Sequence, residues 1–241
     1  MPMHAVIFAA GRGTRMGALC KDLPKPLIEV AGIPIILRTL SALPDAVERV
    51  IIVVGHLQSA IRDAEGIKGR DDITIVEQPE LTGTYDALLM ARPHLPPGPF
   101  LVVNGDDIYA KEGLTDLANA SPFAIMTKRV ARPNRYSHLE TKDGRLSSIV
   151  PNGALPPETI RSETCTYTGA ALLDASFFGL SPADIPRANA VPGAGSERSL
   201  PHTLEKHHRE HPVAVIEGPL WLPVGTPEEL HEAEAALSPK G

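Results

Sequence analysis

The sequence is poor in cysteine, in aromatic residues and in long apolar stretches. Two cysteines, Cys20 and Cys165, stand among 241 residues. They are too few for a disulfide framework and lack metal-site spacing, so we expect reduced thiols without a catalytic role. No apolar run reaches the roughly 20 residues that span a bilayer, and Met1–Ala10 has no basic segment ahead of an apolar one. We therefore expect a cytoplasmic protein without a membrane segment.

Positive charge is also scarce. The 23 Lys and Arg residues are outnumbered by 29 Asp and Glu residues, which gives a net charge of −6. A broad basic face that neutralises a nucleic-acid backbone is therefore not expected, although a few local cations suffice for a small anionic ligand. With 43% hydrophobic and 22% charged residues, the chain can bury a sizeable core. We expect one domain over residues 1–241, as a monomer or homodimer.

Short β-branched runs alternate with helical patterns in the first half of the chain. The predicted strands are His4–Ala9, Val50–Val54, Ile73–Glu77 and Phe100–Asn104, and the predicted helices are Ile35–Leu43, Leu57–Ala64 and Tyr85–Ala91. Continuous apolar runs suit strands that are covered on both faces. This βαβ order predicts an α/β fold with a mostly parallel sheet.

The second half is less regular. The predicted strands are Phe123–Lys128, Tyr136–Thr141, Thr166–Leu173 and Val213–Glu217, and the predicted helices are Leu200–His208 and Pro227–Leu237. Thr226 and Pro227 mark the start of the last helix with an N-cap hydroxyl and a proline at the first helical position. Two segments rich in proline and glycine, Pro93–Pro99 and Ser181–Ser196, are predicted loops, and the second is long enough to cover a site.

A glycine-rich turn follows the first predicted strand. Its residues are Ala10-Gly11-Arg12-Gly13-Thr14-Arg15-Met16-Gly17. Backbone N–H groups in such a turn can face an anion without obstruction by Cβ atoms. The turn lacks the Gly-Lys-Ser/Thr of a Walker loop and the third glycine of the dinucleotide fingerprint. Arg12, Arg15, Lys21 and Lys25 add positive charge, so together these groups could hold a triphosphate.

The turn and several later motifs resemble the nucleotidyltransferases that make nucleotide sugars. The family motif G-x-G-T-R-M followed by K-P-L reads here Gly11-Arg12-Gly13-Thr14-Arg15-Met16 and Lys25-Pro26-Leu27. Further similar stretches are Thr82-Gly83-Thr84-Tyr85-Asp86-Ala87-Leu88, Val102-Val103-Asn104-Gly105-Asp106-Asp107, Thr168-Gly169-Ala170 and Val224-Gly225-Thr226-Pro227-Glu228-Glu229-Leu230. The resemblance therefore covers nearly the whole chain. It implies a single doubly wound, Rossmann-like domain with a mostly parallel mixed sheet.

The resemblance also implies roles for individual residues. The expected catalytic residues are Arg15, which meets the outer phosphates, Lys25, which meets the reacting ones, and Asp106, which holds Mg²⁺. The expected nucleotide-binding residues are Ala10, Gly11, Gly13, Thr14, Gln78, Gly83, Thr84 and Gly105. Gly169 is an expected acceptor-binding residue. Glu197 is a second one on its own chemistry, because its carboxylate could accept hydrogen bonds from sugar hydroxyl groups; the alternative is a solvated loop glutamate.

Asp106 has support from the residues themselves. Asn-Gly-Asp-Asp directly after an apolar strand places a hard oxygen ligand at a strand end, and Asp107 should point away from Asp106. The implied reaction is in-line attack by a sugar 1-phosphate on the α-phosphorus of a nucleoside triphosphate, with release of pyrophosphate. No general base is needed because the attacking phosphate is already ionised.

Two departures from the family pattern leave questions open. Pro223 stands where many members have a second metal-binding aspartate, so either Asp106 suffices, Glu217 substitutes, or catalysis has been lost. The usual Glu-Lys-Pro is missing from residues 148–153, which leaves the acceptor undefined. Short members acting on N-acetylmuramate 1-phosphate have a similar length. The alternatives are a cytidylyltransferase for a phosphorylated alcohol such as phosphocholine and an inactive nucleotide-binding regulatory protein.

Overall fold

The computed structural model describes residues 3–55, 57–131, 136–151, 164–186 and 195–238. In chain order, the strands of these ranges are β1 (Met3–Ala9), β2 (Glu29–Val30), β3 (Ile33–Pro34), β4 (Val47–Val54), β5 (Ile73–Glu77), β6 (Phe100–Asn104), β7 (Asp107–Tyr109), β8 (Ala124–Val130), β9 (His138–Lys142), β10 (Arg145–Val150), β11 (Thr164–Leu173), β12 (Ala183–Pro186), β13 (Ser196–Ser199), β14 (Ala214–Glu217) and β15 (Trp221–Pro223). The α-helices are α1 (Ile35–Ala42), α2 (Gln58–Asp63), α3 (Thr84–Ala91), α4 (Lys111–Ala118), α5 (Leu200–Lys206) and α6 (Pro227–Leu237).

Nine of the described strands form one sheet in the order β5-β4-β1-β6-β11-β8-β14-β10-β9. The strands β5, β4, β1 and β6 are mutually parallel. The long strand β11 runs antiparallel to both β6 and β8, and β10 runs antiparallel to both β14 and β9. The other described strands of this sheet point the same way, so the predicted mostly parallel mixed sheet is confirmed.

Helices cover both faces of the sheet. One apolar cluster joins Ile7 and Val103 of the sheet to Ile36 of α1 and Leu114 of α4, all fully buried. Side chains alternate along a strand, so the neighbouring residues face the other side, where a second cluster packs α3 and α5. This arrangement confirms the doubly wound α/β fold and explains the continuous apolar runs of β1 and β6.

The predicted loop Ser181–Ser196 is not a plain loop where the structure describes it. Its two ends, β12 and β13, pair antiparallel, with Ala183 opposite Ser199 and Pro186 opposite Ser196. Residues 187–194 of the predicted loop lie outside the described residues. Further elements that were not predicted are α4, β10 and the short strands β2, β3, β7 and β15. No helix in the described ranges is both long and apolar enough to cross a lipid bilayer.

Candidate active site

The carboxyl ends of β1 and β6 meet beside the glycine-rich turn and enclose a cavity of about 230 Å³. We call it the loop cavity. Its lining residues are Phe8, Ala9, Gly11, Gly13, Thr14, Arg15, Lys25, Pro26, Asp106 and Gly225. The structure therefore brings together the three residues expected to be catalytic, which are separated by up to 91 positions in the chain.

Gly13 makes the turn tight enough to present its backbone. Its φ of +63° lies in the left-handed region, and a Cβ there would be 2.6 Å from the Cys20 sulfur. The Met16 N–H donates to the Gly13 carbonyl at 2.9 Å and closes the turn. Glycine at position 13 is therefore required by both backbone conformation and space. Burial raises the pKa of the Cys20 thiol, which fits an unreactive cysteine packed under the turn.

Lys25 and Asp106 form an ion pair inside the loop cavity. The Lys25 ammonium donates to Asp106 Oδ2 at 2.5 Å, and the exposed fractions of the two side chains are 7% and 36%. A short 3₁₀ turn holds Lys25, because the Leu27 N–H donates to the Pro24 carbonyl at 2.9 Å. A nearly buried cation thus reaches a carboxylate that is still open to the cavity.

Arg12 and Lys21 do not line the loop cavity. Together with Cys20 they line a separate, open cleft on another side of the same turn, which shares Gly13 and Thr14 with the loop cavity. The four cations that were expected to hold one triphosphate are thus divided between two sites. Arg15 and Lys25 serve the loop cavity, and the other two face the open cleft.

Asp107 points away from Asp106 and into the protein. Its Oδ2 accepts hydrogen bonds from Asn104 at 3.2 Å and from the Tyr109 hydroxyl at 3.5 Å. Burial raises the pKa of Asp107 to about 7, and the neighbouring negative charge of Asp106 adds to the increase. The two adjacent carboxylates therefore have different environments, in agreement with the prediction that Asp107 points away from Asp106.

Arg15 lies against the segment before α6. A Cβ on Gly225 would be 3.0 Å from Arg15 Nη2 and 2.7 Å from Glu229 Oε2. Glu229 is 3% exposed, accepts the Gly225 N–H at 2.6 Å and accepts the Tyr136 hydroxyl. The absence of a side chain at position 225 thus gives the Arg15 guanidinium its place at the cavity wall.

A second cavity, of about 350 Å³, adjoins the first. Its lining residues are Phe8, Ala10, Gly11, Gln78, Leu81, Gly83, Thr84, Ala87, Asn104, Asp106 and Glu197. We call it the hairpin cavity because Glu197 belongs to the β12–β13 hairpin. Phe8, Gly11 and Asp106 line both cavities, so a ligand in one would meet a ligand in the other at Asp106.

Two of the expected nucleotide-binding residues also serve the local structure. Gln78 is 5% exposed, and its side-chain amide donates to the Gly83 carbonyl at 3.2 Å. The Thr84 hydroxyl accepts the Leu200 N–H at 2.9 Å. Both side chains line the hairpin cavity, but Thr84 has already committed an acceptor site to the protein.

Two glycines expected to contact ligands have packing roles in the structure. A Cβ on Gly105 would be 2.8 Å from Ile7 Cγ2, and the Gly105 N–H donates to the Phe8 carbonyl at 2.8 Å. Gly169, with φ +82°, leaves room for the side chain of Asn104. Neither glycine is among the described residues that line the two cavities. The expected contacts of Gly105 with the nucleotide and of Gly169 with the acceptor stay predictions, and in the described structure each glycine allows two strands or their side chains to approach.

Glu217 is also outside both cavities. It lies on the surface at the end of β14, where its Oε2 is 3.3 Å from Arg129 Nε. Pro223, at the position of the usual second aspartate, pairs with Asp107 between β15 and β7. The ion pair with Arg129 gives no support to Glu217 as a replacement for that aspartate, and its role as a metal ligand stays a prediction. Within the described residues, no group of three or more His, Cys, Asp or Glu side chains could hold a metal ion.

Several residues of the site were not predicted from sequence, and three of them show why. Phe8 and Asn104 line cavities because they end β1 and β6, which is the position where open α/β sheets bind ligands. Glu229 stood in a recognised motif, but its acidic character in a first helical turn indicated only a favourable helix-dipole interaction. Its contact with Gly225 depends on tertiary structure.

Comparison with known proteins agrees with this geometry. Residues 5–137, more than half of the chain, match the family model described as the MobA-like NTP transferase domain. The N-acetylmuramate alpha-1-phosphate uridylyltransferase of Neisseria meningitidis serogroup B is 32% identical over 244 residues, which cover 97% of each chain. The chain belongs to the sugar-phosphate nucleotidyltransferase family. It is therefore related to enzymes along nearly its whole length.

Other relatives of this chain are longer. The bifunctional protein GlmU of Methanococcus aeolicus is 36% identical over 135 residues, which cover 56% of this chain and 32% of that protein. The chain thus spans less than half the length of the bifunctional relatives it matches. Among solved structures, the inositol-1-phosphate CTP transferase from T. maritima superimposes with a TM-score of 0.73 at 18% identity, covering 98% of this chain and 96% of that one. This likeness concerns the fold.

Proposed function

We propose that this nucleotidyltransferase joins a nucleoside monophosphate from a nucleoside triphosphate to a sugar 1-phosphate and releases pyrophosphate. The observation that carries the proposal is the Lys25–Asp106 pair, which lies where the loop cavity and the hairpin cavity meet. The phosphates of the triphosphate would occupy the loop cavity, and its base would extend into the hairpin cavity towards Gln78. The acceptor would approach through the remainder of the hairpin cavity, beside Glu197.

The chemistry that the residues supply is positioning and charge. Arg15 would bind the outer phosphates, which become the leaving pyrophosphate, and Lys25 would offset charge at the α-phosphate as the acceptor oxygen attacks in line. The bond from the acceptor oxygen to the α-phosphorus forms as the bond from the α-phosphorus to the bridging oxygen breaks. Because the acceptor oxygen is already ionised, no side chain has to remove a proton.

Asp106 fits a role as a Mg²⁺ ligand. Its carboxylate is a hard oxygen donor, is open to both cavities and faces the expected phosphates. Mg²⁺ commonly uses one or two carboxylates together with substrate phosphates and water, so Pro223 does not prevent binding. When bound, the ion would neutralise phosphate charge. Cytoplasm, where triphosphates are available, is the proposed site of action, and residues 1–241 are the proposed catalytic domain.

The two alternatives receive less support. A quaternary amine such as phosphocholine would favour an aromatic cage. In the described lining of the hairpin cavity, Phe8 is the aromatic residue. A regulatory protein without turnover would not require the paired Lys25 and Asp106. The polar residues of this lining can form hydrogen bonds with the many hydroxyl groups of a sugar 1-phosphate; they are Gln78, Thr84, Asn104, Asp106 and Glu197.

The test is pyrophosphate release with Mg²⁺ from the common nucleoside triphosphates, each combined with a panel of sugar 1-phosphates and with phosphocholine. We expect release that requires one triphosphate and one sugar 1-phosphate. Asp106→Ala should lower kcat about 100-fold or more, because a charge-bearing group at the reacting phosphate is removed.

Asp116→Ala is the matched control, because Asp116 is an exposed aspartate of α4. It should retain normal activity. Nucleotide binding without turnover on any acceptor would contradict the proposal and favour the regulatory alternative.

A further inference from the structure

The β12–β13 hairpin forms one wall of the hairpin cavity and is fixed to the start of α3. The Arg198 N–H donates to the Thr82 carbonyl at 2.8 Å, and the Leu200 N–H donates to the Thr84 hydroxyl at 2.9 Å. Gly83, between the two acceptors, has φ +121°, and a Cβ there would overlap the Arg198 backbone. The close approach of β13 therefore depends on glycine at position 83.

The side chain of Arg198 is turned away from the cavity and held by a buried acid. Its Nε donates to Asp86 Oδ2 at 2.9 Å, and its Nη2 lies 2.5 Å from Asp86 Oδ1. Asp86 is only 4% exposed and lies in the first turn of α3. Successive side chains of a strand point to opposite sides, so Glu197 takes the other side and lines the cavity.

Glu197 thereby contributes an uncompensated negative charge. It forms no hydrogen bond or ion pair through its side chain with any residue that the structure describes. The charged side chains in the described lining of the hairpin cavity are Glu197 and Asp106, and Asp106 is paired with Lys25. The positive charge nearest in sequence, Arg198, is neutralised by Asp86.

We propose that Glu197 determines acceptor specificity, an inference that rests on the proposed function. A carboxylate only accepts hydrogen bonds, so Glu197 would bind acceptor hydroxyl groups and would repel a carboxylate on the acceptor. The preferred acceptors are neutral sugars carrying one phosphate. Asp86 and Arg198 are positioning residues, because they hold the hairpin and keep the Arg198 charge out of the cavity.

The test compares acceptors that differ by a carboxylate. One pair is N-acetylglucosamine 1-phosphate and N-acetylmuramate 1-phosphate, and the other is glucose 1-phosphate and glucuronate 1-phosphate. The measured quantity is the ratio of kcat/KM for the neutral member to kcat/KM for the acidic member, with the triphosphate that supports turnover. The wild-type enzyme should prefer the neutral member about tenfold or more, and Glu197→Gln should reduce that preference about tenfold.

Two further variants separate the charge argument from simple structural damage. Asp86→Asn should shift the preference in the same direction as Glu197→Gln, because the Arg198 charge is no longer offset. Glu80→Gln is the matched control. Glu80 is an exposed glutamate close in sequence to the lining residues Gln78 and Gly83, but it is not among the described residues that line the cavity. It should leave the ratio unchanged.

Equal use of both members by the wild-type enzyme, or a preference that Glu197→Gln does not alter in either pair, would overturn the inference. Because Asp86 is buried and its variant could fail to fold, Glu197→Gln decides. An enzyme that turns over no acceptor although it binds nucleotide would instead contradict the proposed function, so the two failures are distinguishable.

Discussion

Lys25 is a nearly buried cation whose partner, Asp106, is open to both cavities. Replacing it with methionine keeps the length of the side chain and removes the charge. Lys25→Met should lower kcat about 100-fold, because the charge that offsets the reacting phosphates is lost. Lys68→Met is the control, since Lys68 is an exposed lysine paired with Asp63 on the surface. Equal activity of the two variants would remove Lys25 from the site.

Asp107 makes stability depend on pH. Its pKa in the folded protein is about 7, raised by burial above the ordinary value of 3.8. A raised carboxyl pKa contributes stability that is fully present below about pH 4 and is lost as pH rises through about 7. As pH rises from about 4 to about 7, the melting temperature of the wild-type protein should therefore fall by a few degrees relative to that of Asp107→Asn.

The measurement for Asp107 is thermal unfolding of both proteins without ligand, in the presence of a chelator, at several pH values from 4 to 8. The difference between the two melting temperatures should follow pH, because the asparagine side chain of the variant does not titrate. A difference that is constant over this range would show that Asp107 is ionised in the folded protein at all these pH values.

At the scale of elements, the segment before α6 positions Arg15. Gly225→Ala would place a methyl group 3.0 Å from Arg15 Nη2 and 2.7 Å from Glu229 Oε2, so the guanidinium has to move. We expect the KM for the triphosphate to rise about tenfold, because a phosphate contact is displaced. Steady-state kinetics with the triphosphate varied at saturating acceptor gives this value.

Gly179→Ala is the control for Gly225→Ala. A Cβ at Gly179 meets no atom within 4 Å, and the residue lies outside both cavities. Its KM for the triphosphate should match that of the wild-type enzyme. A similar rise in both variants would point to a general effect of the alanine substitutions on folding.

Elements whose apolar residues follow a regular pattern were predictable from sequence, and elements in which that pattern is interrupted were not. The runs Ala5–Ala9 of β1, Val50–Val54 of β4 and Phe100–Val103 of β6 are continuously apolar because both faces of those strands are covered. In β10, a register shift between Leu146 and Ser148 breaks the alternation. In α4, Gly113 interrupts the helical pattern, and a Cβ there would be 2.9 Å from Pro219. Such positions are set by neighbours that are distant in sequence.

The residues of the site likewise divide into those that were predictable from sequence and those that were not. Arg15, Lys25 and Asp106 were predictable because their motifs place charged groups after a strand or after the glycine-rich turn. Such groups meet at one edge of the sheet. The packing roles of Gly105 and Gly169 were not predictable, because what a glycine accommodates depends on tertiary contacts. The Asp86–Arg198 pair spans 112 positions, and nothing local in either segment predicts it.

At the scale of the whole molecule, ligand binding and folding are linked. The loop cavity is assembled from residues between Phe8 and Gly225, so it exists only in the folded chain. A triphosphate at 100 times its dissociation constant should stabilise the protein by about 2.7 kcal/mol. For a chain of this size, the melting temperature should rise by about 5–10 °C.

Differential scanning fluorimetry with increasing triphosphate and Mg²⁺ measures this shift. Lys25→Met, which lacks a phosphate contact, should require a higher triphosphate concentration for the same shift. An identical dependence on triphosphate concentration in both proteins would place the nucleotide away from the loop cavity.

The central position of β11 has a consequence for synthesis of the chain. Strand β11 lies between β6 and β8, although residues 164–173 leave the ribosome about 60 positions after β6. Until they emerge, the nascent sheet of β5, β4, β1 and β6 presents the backbone of Phe100–Asn104 as an open edge, which is a surface prone to aggregation. The half of the enzyme that carries the glycine-rich turn is therefore made first and is completed only when a later strand closes it.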